Sequence, residues 1–506
     1  MRRKRPIRRM IRLRRMAPTF MAIMRCRRQR QQNVTYRDED HRMKRAPGRF
    51  WFSAALALPL LLIEPAHADD AAARIDLTRH PVGYLALLIF FVAYGLVAIE
   101  KAIQLRKSKP VMLAAGLIWA LLGFVYAAQG QSAVLEAAAK HVILDYGELM
   151  LFLVVAITYV NTMQERRVFD ALRTRLVSMN LSYRQLFWLV GGLAFIFGPI
   201  IDNLTTALVM GAVVVAVGVG HYQFIVMGCI IIVVAANAGG VFSPFGDITS
   251  LMVWQKGKLS FFEFFHLFLP SLVNFLVPAT LMHFGVPKGM PDADGNIRTM
   301  KPGGPMVMWL FIATLATAVT FKTLFSLPPA LGMMLGLGYL QLYSYVLQHI
   351  GRRRNNQEML AFDSLREMRH VEWDTLLFFF GIIFAVGGLG VAGYLALVSG
   401  VLYGDLGPTV ANIAIGILGA AFDNIPLMFA VLTMNPDMSS GQWMLVTLST
   451  GVGGSLVSIG SAAGVVLMGL VRNHYTFMNH LRWAWAIALG YVASIATHLW
   501  VNAALM

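Results

Sequence analysis

Cysteine is almost missing from this chain: Cys26 and Cys229 are the only two among 506 residues. A disulfide framework and a cysteine-built metal cluster are thereby excluded. Charge is also scarce, at 14% of residues, and His67, His80, His221 and His266 lie scattered at segment ends without metal-ligand spacing. What fills the sequence instead is apolar: 57% of residues are hydrophobic and the mean hydropathy is +0.62. Several stretches exceed the roughly 20 apolar residues that cross a bilayer, so a polytopic, all-α membrane protein is expected.

The net charge of +17 invites a nucleic-acid partner, but its distribution removes one. Residues 1–49 hold 18 Lys and Arg against Asp38, Glu39 and Asp40, while the remaining 25 Lys and Arg face 23 Asp and Glu. Residues 43–49 read as a charged n-region, 50–63 as an apolar h-region, and Ala66-His67-Ala68 as an A-x-A cleavage site, which makes 43–68 a secretory signal peptide. Residues 1–42 are then a basic extension ahead of a start at Met43, and the expected partner of the remaining chain is membrane lipid.

Apolar spans lie at about 80–100, 110–127, 133–162, 184–219, 222–254, 261–284, 306–326, 328–350, 375–404, 408–436, 442–471 and 483–503. Four of them are interrupted. PIIDNLTT at 199–206 is followed by NAGGVFSPFGDITS at 237–250; AFDNIP at 421–426 is followed by GVGGSLVSIGSAAG at 451–464. Each half thus carries an Asp-Asn pair in apolar sequence and, further on, a Gly-Gly-x5-Gly run. A carboxylate at membrane depth costs a few kcal/mol or more unless it is paired, protonated or wet, so it marks function by default. Gly and Pro interruptions at matching places in two halves point to a secondary transporter's binding site.

Loop charge decides the path of these segments. With the cleaved N-terminus outside, Arg106, Lys107 and Lys109 fall inside, as do Arg166, Arg167, Arg173, Arg175 and Arg184. Arg352, Arg353, Arg354, Arg366 and Arg369 also fall inside only if 184–219 is a re-entrant hairpin. Residues 408–436 then form a second hairpin from the opposite face, giving ten full spans and two hairpins. The transport domain runs over 78–506. Repeat 1 (about 133–284) begins outside and repeat 2 (about 375–503) begins inside, with linker spans at 306–350 between them: an inverted-topology repeat with two re-entrant hairpins and two broken transmembrane helices. Residues 164–181 read as an amphipathic interfacial connector or a solvated linker helix.

Broken backbone at membrane depth is tolerated where protein or a water-filled cavity surrounds it. Its freed carbonyls, with side-chain amides, hydroxyls and a carboxylate, offer hard oxygen ligands suited to a small hard cation. The candidates in the first half are Asp202, Asn203, Thr205, Thr206, Asn237, Ser243, Asp247, Thr249 and Ser250; those in the second are Asp423, Asn424, Ser455, Ser458 and Ser461. Asp247 falls opposite Ser461 when the glycine runs are aligned, so the charge is asymmetric. Other readings stay open beside these. The Asp-Asn pairs and Asp247 could be helix N-caps, and the three serines could serve close helix packing.

The DNLTTALVM, NAGG, GD-x-TS, FDNIP and GGSLVSIGSAAG strings resemble those of the NhaD-type sodium/proton antiporters of the ion transporter superfamily, from about residue 78 to the C-terminus. The resemblance implies exchange of cytoplasmic Na⁺, often also Li⁺, for external protons in a bacterial inner membrane, without a cofactor. It implies Asp202, Asp247 and Asp423 as the principal acids, Asn203, Asn237, Thr249 and Ser250 as their partners, and Glu148 in the third span as a further acid, although a structural ion pair there is the competing reading. A homodimer is the superfamily's expectation. Burial favours the protonated carboxyl, so Na⁺ must displace a proton, and one site that reorients only when occupied by either ion gives antiport. Two rivals remain: a superfamily carrier of an organic anion or arsenite, and an intramembrane aspartyl protease, prompted by the paired acids.

Overall fold

In the computed structural model, residues 75–506 are described except 104, 180, 219, 291–298, 361, 472 and 473. The basic extension, the signal peptide and Cys26 lie outside the described residues. Every regular element among the described residues is helical. We number the principal helices α1 (Pro81–Ala98), α2 (Ser108–Ala128), α3 (Ser132–Glu165), α4 (Val168–Val177), α5 (Tyr183–Phe197), α6 (Asn203–Val217), α7 (Tyr222–Val241), α8 (Ile248–Gln255), α9 (Phe268–His283), α10 (Gly304–Phe325), α11 (Pro329–Arg354), α12 (Trp373–Val391), α13 (Pro408–Leu418), α14 (Asn424–Met434), α15 (Ser440–Gly453), α16 (Ala462–Leu470) and α17 (Ala484–Val501). Among the described residues, eight helical segments are long and apolar enough to cross a membrane: α2, α3, α7, the run Glu263–His283 that contains α9, α10, α11, α12 and α17. The chain is a multi-pass integral membrane protein.

The helices that flank the Asp-Asn pairs fall short of a crossing. At about 1.5 Å per residue, the 15 residues of α5 and of α6 and the 11 of α13 and of α14 reach roughly 16 to 22 Å, against a hydrocarbon core of about 30 Å. The Asp-Asn pairs fall at the breaks between them, where Pro199 after Gly198 ends α5 and where Gly419 closes α13.

The helices pack as two groups. In one, α2 lies between α1 and α12, while α3 contacts α11, α12 and α10. Gly381 lets α12 touch the α2 backbone, since a Cβ there would lie 2.7 Å from Met112 N, and Trp119 Nε1 donates to Phe384 O at 2.9 Å. The hydroxyl of Tyr159 on α3 donates to Gly336 O of α11 at 2.7 Å. In the other group α7 is central, packed by α5, α6, α9 and α15, and buried at every residue from Phe224 to Val241. A helix apolar all round belongs inside. Contact between the groups runs through α12 with α14 and through α4, which rests on both α3 and α6.

Two expectations need correction. The span expected at 375–404 ends at Val391: Gly393 takes φ 96°, the left-handed region that favours glycine, and the N–H of Leu77 donates to Ala392 O at 3.0 Å. The chain then continues as a short helix, Tyr394–Ser399, and a π-helical turn, Gly400–Asp405. Arg166, read above as a charge of the loop after the third span, closes α3 as its C-cap and is fully buried. Its Nη1 donates to Glu358 O at 3.1 Å and Pro302 O at 3.3 Å, and its guanidinium lies over the Phe362 ring.

Candidate functional site

Both Asp-Asn breaks are organised by helix capping. Asp202 is the N-cap of α6: its Oδ1 accepts the Thr205 N–H at 2.8 Å and its Oδ2 the Thr205 hydroxyl at 2.7 Å. Asp423 caps α14 by accepting the Ile425 N–H at 3.3 Å. Asp247 stands at the start of α8 in extended backbone, yet its side chain makes no cap bond to the backbone; it accepts the Thr249 hydroxyl at 2.6 Å. The capping reading therefore holds for Asp202 and Asp423 and fails for Asp247. Ser461, at the position matching Asp247, does cap its helix, accepting the Gly464 N–H at 3.3 Å.

Glycine allows these broken segments to meet backbone to backbone. A Cβ on Gly239 would lie 2.2 Å from Phe195 O, and one on Gly246 would lie 2.4 Å from Gly198 O. In the second half a Cβ on Gly453 would lie 2.0 Å from Gly416 O, and one on Gly460 would meet the carbonyls of Ala420, Gly419 and Gly454 at 2.8 to 2.9 Å. Carbonyl oxygens released from helical bonding thus crowd beside each Asp-Asn tip. The Asn424 side chain is 4% exposed, and its Oδ1 is buried without a hydrogen-bond partner. A buried unpaired acceptor is costly, and an ion is one way to satisfy it.

A cavity of about 450 Å³ joins the two tips, lined by Asp202, Asn203, Thr205, Asp247, Asp423, Asn424 and Ser461 among others. The remaining candidates lie around it. Thr249 holds Asp247; Thr206 and Ser250 are buried against backbone carbonyls of Ile201 and Val241; Ser458 turns its hydroxyl to Met468 Sδ. Ser243 accepts the Phe245 N–H. Asn237 and Ser455 form a bridge between the halves: Asn203 Nδ2 donates to Asn237 Oδ1 at 3.0 Å, and Asn237 Nδ2 to Ser455 Oγ at 2.9 Å. Glu148 is not brought to the cavity. It keeps company with Asp145, Lys256 and Lys322, the first two paired at 2.6 Å.

Three residues at the site carried no motif in the sequence. Glu372, in the segment leading into α12, lines the cavity and adds negative charge near Asp202. Tyr94 of α1 accepts the backbone N–H of Asp423 at 3.3 Å and rests its ring 5.5 Å from that of Phe422. His480 binds the carbonyl of Ser455. Each lies far along the chain from its partner, so spacing alone could not have revealed it. Among the described residues, no group of three or more His, Cys, Asp and Glu is placed to hold a metal ion together. What the cavity does offer is separate carboxylates with neutral oxygens between them.

Interrupted apolar helices around an acid-lined cavity, in a chain with eight candidate spans among the described residues, are what a multi-pass membrane carrier has. A family model described as "Citrate transporter" matches residues 59–451. The Na(+)/H(+) antiporter NhaD of Alkalimonas amylolytica is 51% identical over 471 residues, covering 90% of this chain and 97% of the relative. That of Vibrio cholerae is 50% identical over 466 residues, 88% of this chain and 98% of the relative. Sodium/proton antiporter 1 of Arabidopsis thaliana is 31% identical, covering 82% and 72%. The chain belongs to this citrate-transporter family and, within it, to the group of Na(+)/H(+) antiporters NhaD; it is a transporter rather than an enzyme.

Proposed function

We propose that the protein exchanges Na⁺, and also Li⁺, for protons by alternating access in a bacterial inner membrane, and that Asp202, Asp247 and Asp423 hold the exchanged ions. The observation that carries this reading is the convergence of three carboxylates from two distant parts of the chain on one cavity. Asp247 and Asp423 lie within electrostatic range of one another, as do Asp202 and Glu372. Close carboxylates favour sharing a proton or a cation over standing fully ionised. A small hard cation entering here finds carboxylate, amide and carbonyl oxygens; two protons, or one, satisfy the same charges.

The inverted repeat supplies the two faces of access. Helices α5 and α6 form a hairpin entering from the inside, and α13 and α14 one from the outside; α7 with α8 and α15 with α16 are the broken spans. The short lengths of α5, α6, α13 and α14, the equal offsets of Gly198 to Asp202 and Gly419 to Asp423, and the packing of α5 and α6 on one helix support this path. Lys107, Arg173 and His370 also line the cavity. By the positive-inside rule they belong to the cytoplasmic mouth, so the cavity is open inward. Two copies associate as a homodimer in lipid.

Everted membrane vesicles test the site. Addition of Na⁺ or Li⁺ alone should dissipate a preformed proton gradient, and Asp202→Asn and Asp423→Asn should abolish that response at equal protein levels. Wild-type exchange by both variants would sink the assignment. The same cavity's cationic rim favours one second reading, an organic-anion carrier. A proton response that appears only with citrate or another carboxylate, and not with Na⁺, would select it.

A further inference from the structure

Behind the cavity, a run of buried hydrogen bonds leads from the first tip to a histidine that the exchange chemistry does not use. Asn203 donates to Asn237 at 3.0 Å and Asn237 to Ser455 Oγ at 2.9 Å. The carbonyl of Ser455 then meets His480 Nε2 at 2.9 Å, and His480 Nδ1 meets the Tyr475 hydroxyl at 2.7 Å. Asn237, Ser455, His480 and Tyr475 are each no more than 1% exposed. A carbonyl oxygen only accepts, so Nε2 must carry the hydrogen; Nδ1 of the neutral ring then accepts from Tyr475. The tautomer is set by its two partners.

We propose that His480 is a positioning residue of the cation site, acting through Ser455 on the Asn237 and Asn203 amides. Ser455 lies in the break between α15 and α16, where carbonyls have lost their helical donors. His480, on the short helix Phe477–Leu481 beyond α16, supplies a donor from outside the broken segment. With its carbonyl moored, Ser455 presents Oγ to Asn237. With one N–H of Nδ2 held by Asn237, the Asn203 amide is fixed in its orientation at the cavity that Asn203 lines beside Asp202. His480 itself does not line that cavity, so it shapes the affinity of the site without touching the ion.

The inference rests on the site reading above, and Na⁺-concentration series in everted vesicles separate the two. His480→Ala should raise the apparent KM for Na⁺ about tenfold, the usual scale of one lost buried hydrogen bond, with the maximal rate at equal protein level nearly unchanged. His480→Gln, which keeps an N–H donor, should recover most of the affinity; Tyr475→Phe should fall between. Combining His480→Ala with Ser455→Ala should add little to the larger single effect, as for groups acting in series. An unchanged KM in His480→Ala with a lower Tm, or a His480→Gln as impaired as His480→Ala, overturns the proposal. If His480→Ala does not accumulate in the membrane, Tyr475→Phe decides: a wild-type KM there overturns it equally. Asp202→Asn runs alongside. If that variant exchanges normally the site reading itself fails, whereas an inactive Asp202→Asn beside an unaltered His480→Ala defeats the positioning role alone.

Discussion

The three aspartates are chemically alike and differently employed. Asp202 and Asp423 spend carboxylate oxygens on helix caps, whereas Asp247 is held chiefly by the Thr249 hydroxyl. Asp202→Ala should therefore lose exchange and also about 1 kcal/mol of stability, the usual worth of a cap, while Asp202→Asn retains most of that stability. Asp247→Asn should abolish exchange and leave the Tm of the detergent-solubilised protein near wild type; a large fall would assign Asp247 a structural task. At this scale the sequence singled out three acids that the fold brings to one cavity, but not what their oxygens bond. The Asp-Asn-x-Thr spacing marked a polar tip, but capping geometry depends on the backbone turn before the helix, which no spacing encodes. Glu148 shows the opposite limit: an acid in a membrane span was legible, yet the charges near it, Lys256 and Lys322, come from other helices.

Among elements, the broken segments fit because glycine lets one main chain touch another. Gly453→Ala would place a methyl 2.0 Å from Gly416 O, and Gly239→Ala one 2.2 Å from Phe195 O. Both contacts are with backbone that cannot step aside, so both variants should accumulate poorly or melt well below wild type. Gly192→Ala on α5 meets nothing within 4 Å and should be neutral or stabilising by up to about 1 kcal/mol, a contrast readable by Tm. The Gly-Gly-x5-Gly runs make these breaks legible in the sequence. The break at Gly393 was not read from the same sequence, although Gly387, Gly388 and Gly390 precede it, because the segment that docks there, around Leu77, is hundreds of residues away.

Across the whole molecule, α8 connects the cavity to the opposite surface. Asp247 is at its start, and at its end Lys256 pairs with Asp145 of α3 at 2.6 Å, while Lys322 of α10 donates to Gln255 O at 3.0 Å. These bonds join the two helix groups and must yield if α8 shifts during exchange. Lys256→Ala and Asp145→Ala should each change the exchange rate several-fold, the consequence of about 1 kcal/mol in a mostly buried pair, and the swapped pair Asp145→Lys with Lys256→Asp should recover part of it. Equal rates in all three variants would show that the contact takes no part in the cycle. A different lesson lies in α7. The segment with the highest hydropathy of the candidate spans is the one most fully enclosed by protein, buried from Phe224 to Val241. During synthesis it is well suited to enter the bilayer unaided, whereas α5, α6, α13 and α14 are each too short to cross it. The short helices thus depend on α7 more than it depends on them: α7 can cross on its own, and α5 and α6 lean on it. Damage to those neighbours would leave a long apolar helix without its protein sheath, exposed to whatever else is in the bilayer.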